Sequence, residues 1–319
     1  MSRRNSLRWL RAAVFVCCLA FIIGHLHSKS LADYRLVAEA VWQQRLLLVF
    51  VLMLLPLNWA FEAMKWKILV RRLEPISLAT AYKGVLTGIV FSFISPQMLG
   101  DYAGRFLQLE TDSRLKSAGA LLVGNFAQLW VSILFGVYGY GLYQINYGHN
   151  SSTFNFAIIL TISIINLLVL VFYLKVSLLY RLVARLNILR KLLPYLEIMS
   201  QYKAKELWLV LTFALLRYGV FTLQFLVGMK ILQIDLPLTV LLNGIVLIFL
   251  AKSVIPTLNA FGDLGLREFS ALLFFQMFAV APERIVAASL LIWLVNILIP
   301  AFVGLFFILR IRLLKLSGS

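Results

Sequence analysis

Apolar residues in this chain neither alternate nor return at helical spacing; they run continuously. Such runs lie at about 9–27, 45–64, 77–95, 117–143, 153–175, 206–230, 238–256, 265–281 and 285–309. Several approach or exceed the ~20 residues that an α-helix needs to cross a hydrocarbon layer. Uninterrupted runs predict spanning helices and exclude a β-barrel, whose strands alternate in and out. The expected fold class is all-α, a polytopic helical bundle integral to the membrane.

Composition agrees with the pattern. Of 319 residues, 62% are hydrophobic, and the mean hydropathy is +0.92. The net charge of +17 would point to nucleic acid in a soluble protein. In a membrane protein, basic residues collect in cytoplasmic loops, and no basic-aromatic motif is present, so no nucleic-acid partner is expected. Arg3, Arg4, Arg8 and Arg11 put the N-terminus in the cytoplasm, and Lys65, Lys67, Arg71 and Arg72 return the chain there. The basic connection 175–205, with room for an interfacial helix, and Arg310, Arg312 and Lys315 at the C-terminus belong to the same side. Both termini are therefore expected on the cytoplasmic side of the membrane. The first run reads as an uncleaved helix, because no small-x-small site follows it closely. Cys17 and Cys18 are adjacent on one helix, which suggests neither a disulfide nor a metal site. His25, His27 and His149 have no carboxylate or cysteine cluster beside them, so neither a metal nor another cofactor is expected.

The loop charges add a constraint. Segment 77–116 begins after Arg72 and ends at the basic Arg114 and Lys116, so it enters from the cytoplasm and returns to it. Pro96, Gly100 and Gly104 mark its break. Segment 238–283 does the same from outside, broken at Pro256, Gly262 and Gly265. Each is predicted to be a re-entrant helical hairpin, and the two lie in inverted units. Inverted repeats with interrupted helices are a transporter architecture. Four regions follow: an N-terminal helix and outside loop (1–44), a first repeat (45–150), a connecting helix with a basic segment (151–205), and a second repeat with the C-terminus (206–319).

Both breaks carry Gly-Asp-x-x-x-Arg: GDYAGR at 100–105 and GDLGLR at 262–267. Asp and Arg four apart share a helix face and reach each other as an ion pair. The glycine is expected to give a sharp backbone turn, and the Asp to cap the returning helix. A purely structural role for Asp101, Arg105, Asp263 and Arg267 follows from that geometry. A functional role adds that a helix start and a guanidinium at membrane depth suit an anionic headgroup. Arg217 lies deep in its span, where an ionisable residue marks a candidate site, and Gln224 shares its face. Asn125 with Gln128, Lys252, Glu268 and Glu62 complete the candidate set; for Asn and Gln, helix–helix hydrogen bonding is the plainer reading. Trp59 and Trp66, beside Glu62, read as interfacial anchors.

NWAFEAMKWKIL (58–69), SPQMLGDYAGR (95–105), GNFAQLW (124–130) and NAFGDLGLRE (259–268) resemble the flippase-like membrane domain of lysylphosphatidylglycerol synthetases, over about 45–310. The resemblance implies the inner (cytoplasmic) membrane of a prokaryote and, in the full synthetases, movement of aminoacylated phospholipid from the inner to the outer leaflet. Asp101 stands where many members carry Glu; either acid keeps the charge. The synthetase's soluble aminoacyltransferase domain does not follow here, so a stand-alone membrane domain without synthetase activity is expected. The leading expectation is a flippase or transporter for a phosphate-bearing lipid or lipid-linked precursor, with no nucleotide motif of the Walker type to drive it. A lipid-binding accessory or scaffold beside a lipid-modifying enzyme is the alternative, and an intramembrane lipid-modifying enzyme is a third.

Overall fold

The computed structural model describes residues 31–94, 98–148, 152–186, 193–255 and 260–317. The first expected span, the N-terminal arginines, both cysteines, all three histidines, and Pro96 and Pro256 lie outside the described residues. Every regular element among the described residues is helical: α1 (Leu31–Gln43), α2 (Arg45–Val70), α3 (Leu78–Ile94), α4 (Met98–Phe106), α5 (Thr111–Tyr147), α6 (Ser152–Leu174) and α7 (Val176–Arg185). After the short α8 (Leu193–Leu196) come α9 (Ala204–Ile231), α10 (Leu238–Val254), α11 (Ala260–Phe275), α12 (Pro282–Trp293) and α13 (Ile299–Ser317).

The apolar runs became helices of two kinds. Arg45–Val70, Lys116–Tyr147, Thr153–Leu174, Ala204–Ile231 and Pro282–Leu309 are long and apolar enough to cross a membrane. Their outer faces stay apolar: Leu160, Ile164, Leu167 and Leu168 of α6 are all about half exposed, as lipid contact requires. The protein is an integral membrane protein. By contrast, α3 and α10 have 17 residues each. At 1.5 Å per residue each is about 25 Å long, short of a hydrocarbon layer of ~30 Å. The run at 265–281 is divided between α11 and a 3₁₀ turn at Gln276–Phe278, and it is too short for a crossing.

Glycine sets the α3–α4 contact. A Cβ at Gly104 would fall on the backbone of Gly88, and one at Gly100 on the backbone of Phe91 and Ser92. Two small residues four apart let the backbones touch, and Thr87 Oγ1 donates to the Gly104 carbonyl at 3.0 Å. Gly100 is therefore not the turn glycine that the motif suggested. It is the third residue of α4, and no described glycine has positive φ.

The ends of each hairpin meet. The Glu110 amide, just before α5, donates to Glu74, just before α3 (2.9 Å). Arg284, at the start of α12, donates to the carbonyl of Gln233, just before α10 (3.1 Å). Between the hairpins, α2 and α9 pack antiparallel. Arg72 and Glu206 pair at one end (2.8 Å), and Gln233 donates to Gln43 at the other (3.3 Å). The remaining packing is reciprocal: α13 lies on α3, and α5 lies on α10. Both crossings run through glycine. A Cβ on Gly304 of α13 would meet Leu86 and Val90, and Cβ atoms on Gly139 and Gly136 of α5 would meet Val246 and Leu250.

The α12–α13 junction is also written in the sequence. Pro300 has no N–H for the carbonyl of Asn296, four residues back. The chain answers with a π turn at Leu294–Leu298, in which the Ile299 amide reaches Leu294.

Gly104→Ala should force α3 and α4 apart and lower stability by about 1–3 kcal/mol. Gly219→Ala should cost nothing and gain up to ~1 kcal/mol, because Gly219 has nothing within 4 Å of its Cβ position. Thermal unfolding of the detergent-solubilised variants checks both; equal losses would remove close backbone contact as the reason for Gly104.

Candidate functional site

One face of α2 is polar inside an otherwise apolar helix. Asn58, Glu62 and Lys65 are spaced four and three apart, so they align, and all three are buried. Glu62 is shared by three cations. Its Oε1 accepts from Arg105 Nη2 (2.9 Å); its Oε2 meets Lys65 Nζ (2.7 Å) and Arg217 Nη1 (3.0 Å). Arg105 also grips Asp101 with two parallel bonds, Nε to Oδ1 at 2.9 Å and Nη2 to Oδ2 at 3.0 Å. That fork matches a planar guanidinium to a carboxylate. Gln128 of α5 closes the group, accepting from Lys65 (3.2 Å) and Arg217 (3.4 Å) and donating to the Ala214 carbonyl.

Aromatic rings carry the cations. The Arg105 guanidinium lies 5.4 Å from the centre of Trp66, and that of Arg217 lies 4.8 Å from Trp59. Each such contact contributes ~0.5–2 kcal/mol, the more so when water is excluded. Trp66 is fully buried and Trp59 nearly so; neither is the interfacial anchor that its position suggested.

The cluster has a back and a front. The side chains of Lys65, Arg105 and Glu62 are 1%, 3% and 5% exposed, whereas Asp101 and Arg217 are 23% and 22% exposed. Those two front residues line a cavity of about 480 Å³, together with Asn125, Gln128, Ser132 and Lys252. Leu129, Phe221, Phe249, Val254 and Ile297 line its apolar part. Arg217 is near the middle of α9, about 20 Å from either end at 1.5 Å per residue. Across the cavity, Asn58 donates to Asn296 of the π turn (2.6 Å), and Gln224 donates to the Val51 carbonyl (3.1 Å). The π turn thus presents Asn296 to the polar face of α2.

The second motif occupies different surroundings. Arg267 is buried with its guanidinium 5.5 Å from the ring of Phe221, whose centre is also 6.0 Å from Lys252 Nζ. Glu268 is buried and accepts from Ser289 of α12 (2.7 Å). Asp263 stands in the first turn of α11, and its side chain lies outside the described residues. Of the residues expected from the sequence, Glu62, Asp101, Arg105, Gln128 and Arg217 come together. Asn125 and Lys252 share the cavity wall. Gln224 is fully buried beside Asn58, and Arg267 with Glu268 forms a separate buried pair of positions.

A family model described as the lysylphosphatidylglycerol synthase TM region matches residues 8–304. The chain belongs to that family. No curated protein and no solved structure matches. The lysylphosphatidylglycerol synthase TM-region match contains both Gly-Asp-x-x-x-Arg motifs, the whole ion-pair cluster and every residue of the cavity wall. Membership ties the chain to a lipid-related function in the membrane.

Sequence reasoning missed Lys65, Asn58 and Asn296. The apolar run ends at 64, which places Lys65 in a cytoplasmic loop, but α2 continues to Val70 and buries it. Its signal was the spacing: a base three residues after an acid, on the face of Asn58. Glu62→Gln should leave Lys65, Arg105 and Arg217 short of a counter-charge and cost about 3–5 kcal/mol. Adding Lys65→Met should restore part of that loss. Thermal melts of the two single variants and the double variant test this; strict additivity would show that the pair does not interact.

Proposed function

We propose that this chain moves a phosphate-bearing membrane lipid between leaflets, with the headgroup held in the cavity between α2, α5, α9 and α10. One observation carries the reading. The ion-pair cluster sets two carboxylates, Glu62 and Asp101, against three cations, Lys65, Arg105 and Arg217, and it turns Arg217 toward a cavity at membrane depth. An excess positive charge in a low-dielectric setting favours an anion, and a guanidinium suits phosphate oxygens. Asp101, the other front residue, suits an ammonium, so an aminoacylated headgroup has a partner for each of its charges. The apolar wall suits the lipid's glycerol and upper chains.

The packing supports a transporter built from inverted repeats. The α3–α4 hairpin opens at the Arg72–Glu206 end of the α2–α9 pair, and the α10–α11 hairpin opens at the Gln43–Gln233 end. Short helices, hairpin ends that meet and glycine crossings that exchange partners suit re-entrant hairpins in opposed units. Both chain termini then face the cytoplasm with the basic loops. Transport, not catalysis, is the activity proposed, since the acids of the cavity serve as counter-ions.

A second reading has its own support. Arg105 and Arg267 are buried, so the motif arginines hold the bundle, as a lipid-binding accessory protein without transport would also require. Leaflet exchange separates the two. In proteoliposomes, wild-type protein should expose inner-leaflet fluorescent phosphatidylglycerol to an external quencher faster than protein-free vesicles do. Arg217→Ala should slow this about tenfold or more, since one charge-assisted contact contributes ~1.5–3 kcal/mol. Binding without exchange would establish the accessory reading; unchanged exchange in Arg217→Ala would remove the cavity from the path.

A further inference from the structure

A second concave site lies on the other side of α5, away from the ion-pair cluster. It is a groove of about 330 Å³ between α5, α6, α7 and the segment after α8. Phe126, Phe172, Val176, Val183, Leu196 and Met199 give it an almost wholly apolar wall. Two tyrosines, Tyr173 and Tyr180, join that wall, and Tyr173 is the buried one. Tyr173 is 5% exposed, and its hydroxyl has no hydrogen-bond partner among the described residues. Buried hydroxyls are ordinarily paired.

The helix that closes the groove is amphipathic. Val176, Tyr180 and Val183 of α7 line the groove, spaced four and three apart. Lys175, at the start of α7, and Arg181 and Arg185 within it are exposed. A basic amphipathic helix lies in the headgroup layer and attracts anionic lipid. An apolar slot beside such a helix fits a molecule with an acyl chain at one end and a negative charge at the other.

We infer that this groove is a binding site for one acyl chain of an anionic phospholipid, whose headgroup rests on Arg181 and Arg185 and whose ester oxygen accepts from Tyr173. The site is separate from the transport cavity, because α5 faces the cavity with Asn125 and Gln128 and the groove with Leu122 and Phe126. Its occupant is a bound membrane lipid, not the cargo. It fills a slot that would otherwise leave α7 standing off α5, and it gives the protein a dependence on anionic lipid.

The test uses the full chain in phosphatidylcholine vesicles that contain phosphatidylglycerol with a photoreactive group on one acyl chain. After irradiation, the labelled peptides are mapped. Labelling should concentrate on 122–126 and 172–183. It should fall about tenfold when the probe carries a choline headgroup, or in the Arg181→Gln/Arg185→Gln variant. Val183→Trp, which fills the slot, should remove labelling at 172–176; if that variant does not fold, the arginine pair decides alone. Labelling spread evenly over the outer face of α6, or equal labelling by the choline probe, would overturn the inference.

Discussion

A carboxylate placed where water cannot reach it must be neutralised by its own protein, and Glu62 is that carboxylate. Three cations from three helices converge on it: Lys65 from α2 itself, Arg105 from α4 and Arg217 from α9. Breaking any one leaves buried charge behind, which is why such groups are far costlier to lose than to keep. The geometry of the bundle centre follows. α4 must come within reach of α2, so α3 and α4 pack backbone to backbone through Gly88, Gly100 and Gly104. α9 must lie along α2, so Arg217 meets Trp59 and Glu62 together.

The arrangement gives the two cluster arginines different exposures. Arg105 spends its hydrogen-bonding capacity on two acids and its flat face on Trp66, and it is closed off from the cavity. Arg217 has a foot in each camp, bonded to the cluster yet open to the cavity. The lysylphosphatidylglycerol synthase TM-region match covers both arginines. The motif that stands out in the sequence supplies the scaffold, and a lone arginine in mid-helix supplies the exposed charge.

What could be read from the sequence was local. Apolar runs mark the spanning helices, and the interval of four marks the Asp101–Arg105 pair. Charges at membrane depth singled out Arg217, because such residues are expensive there. What could not be read was pairing at a distance. Nothing near Asn58 foretells Asn296, which is 238 positions away, and nothing near Glu62 foretells Arg217. Lys65 is not legible because hydropathy ends a helix where charge begins, while α2 runs on to Val70 and its last two turns pack against Arg105 of α4 and Gly124 and Gln128 of α5. The glycines misled for the same reason: flexibility is a property of one residue, whereas the closeness of α3 and α4 is a property of two helices.

The two cations nearest Glu62 Oε2 differ in where along the chain their counter-charge lies. Glu62 and Lys65 are three apart on one helix, so the two buried charges of α2 are matched within the helix itself. Arg217 has no acidic residue within a turn of it on α9. Alone at a helix centre it would oppose insertion by ~2.5–3.5 kcal/mol. In the finished bundle that cost is offset by Glu62 of α2, a helix that precedes α9 in the chain, so the partner Arg217 needs is encoded ahead of it.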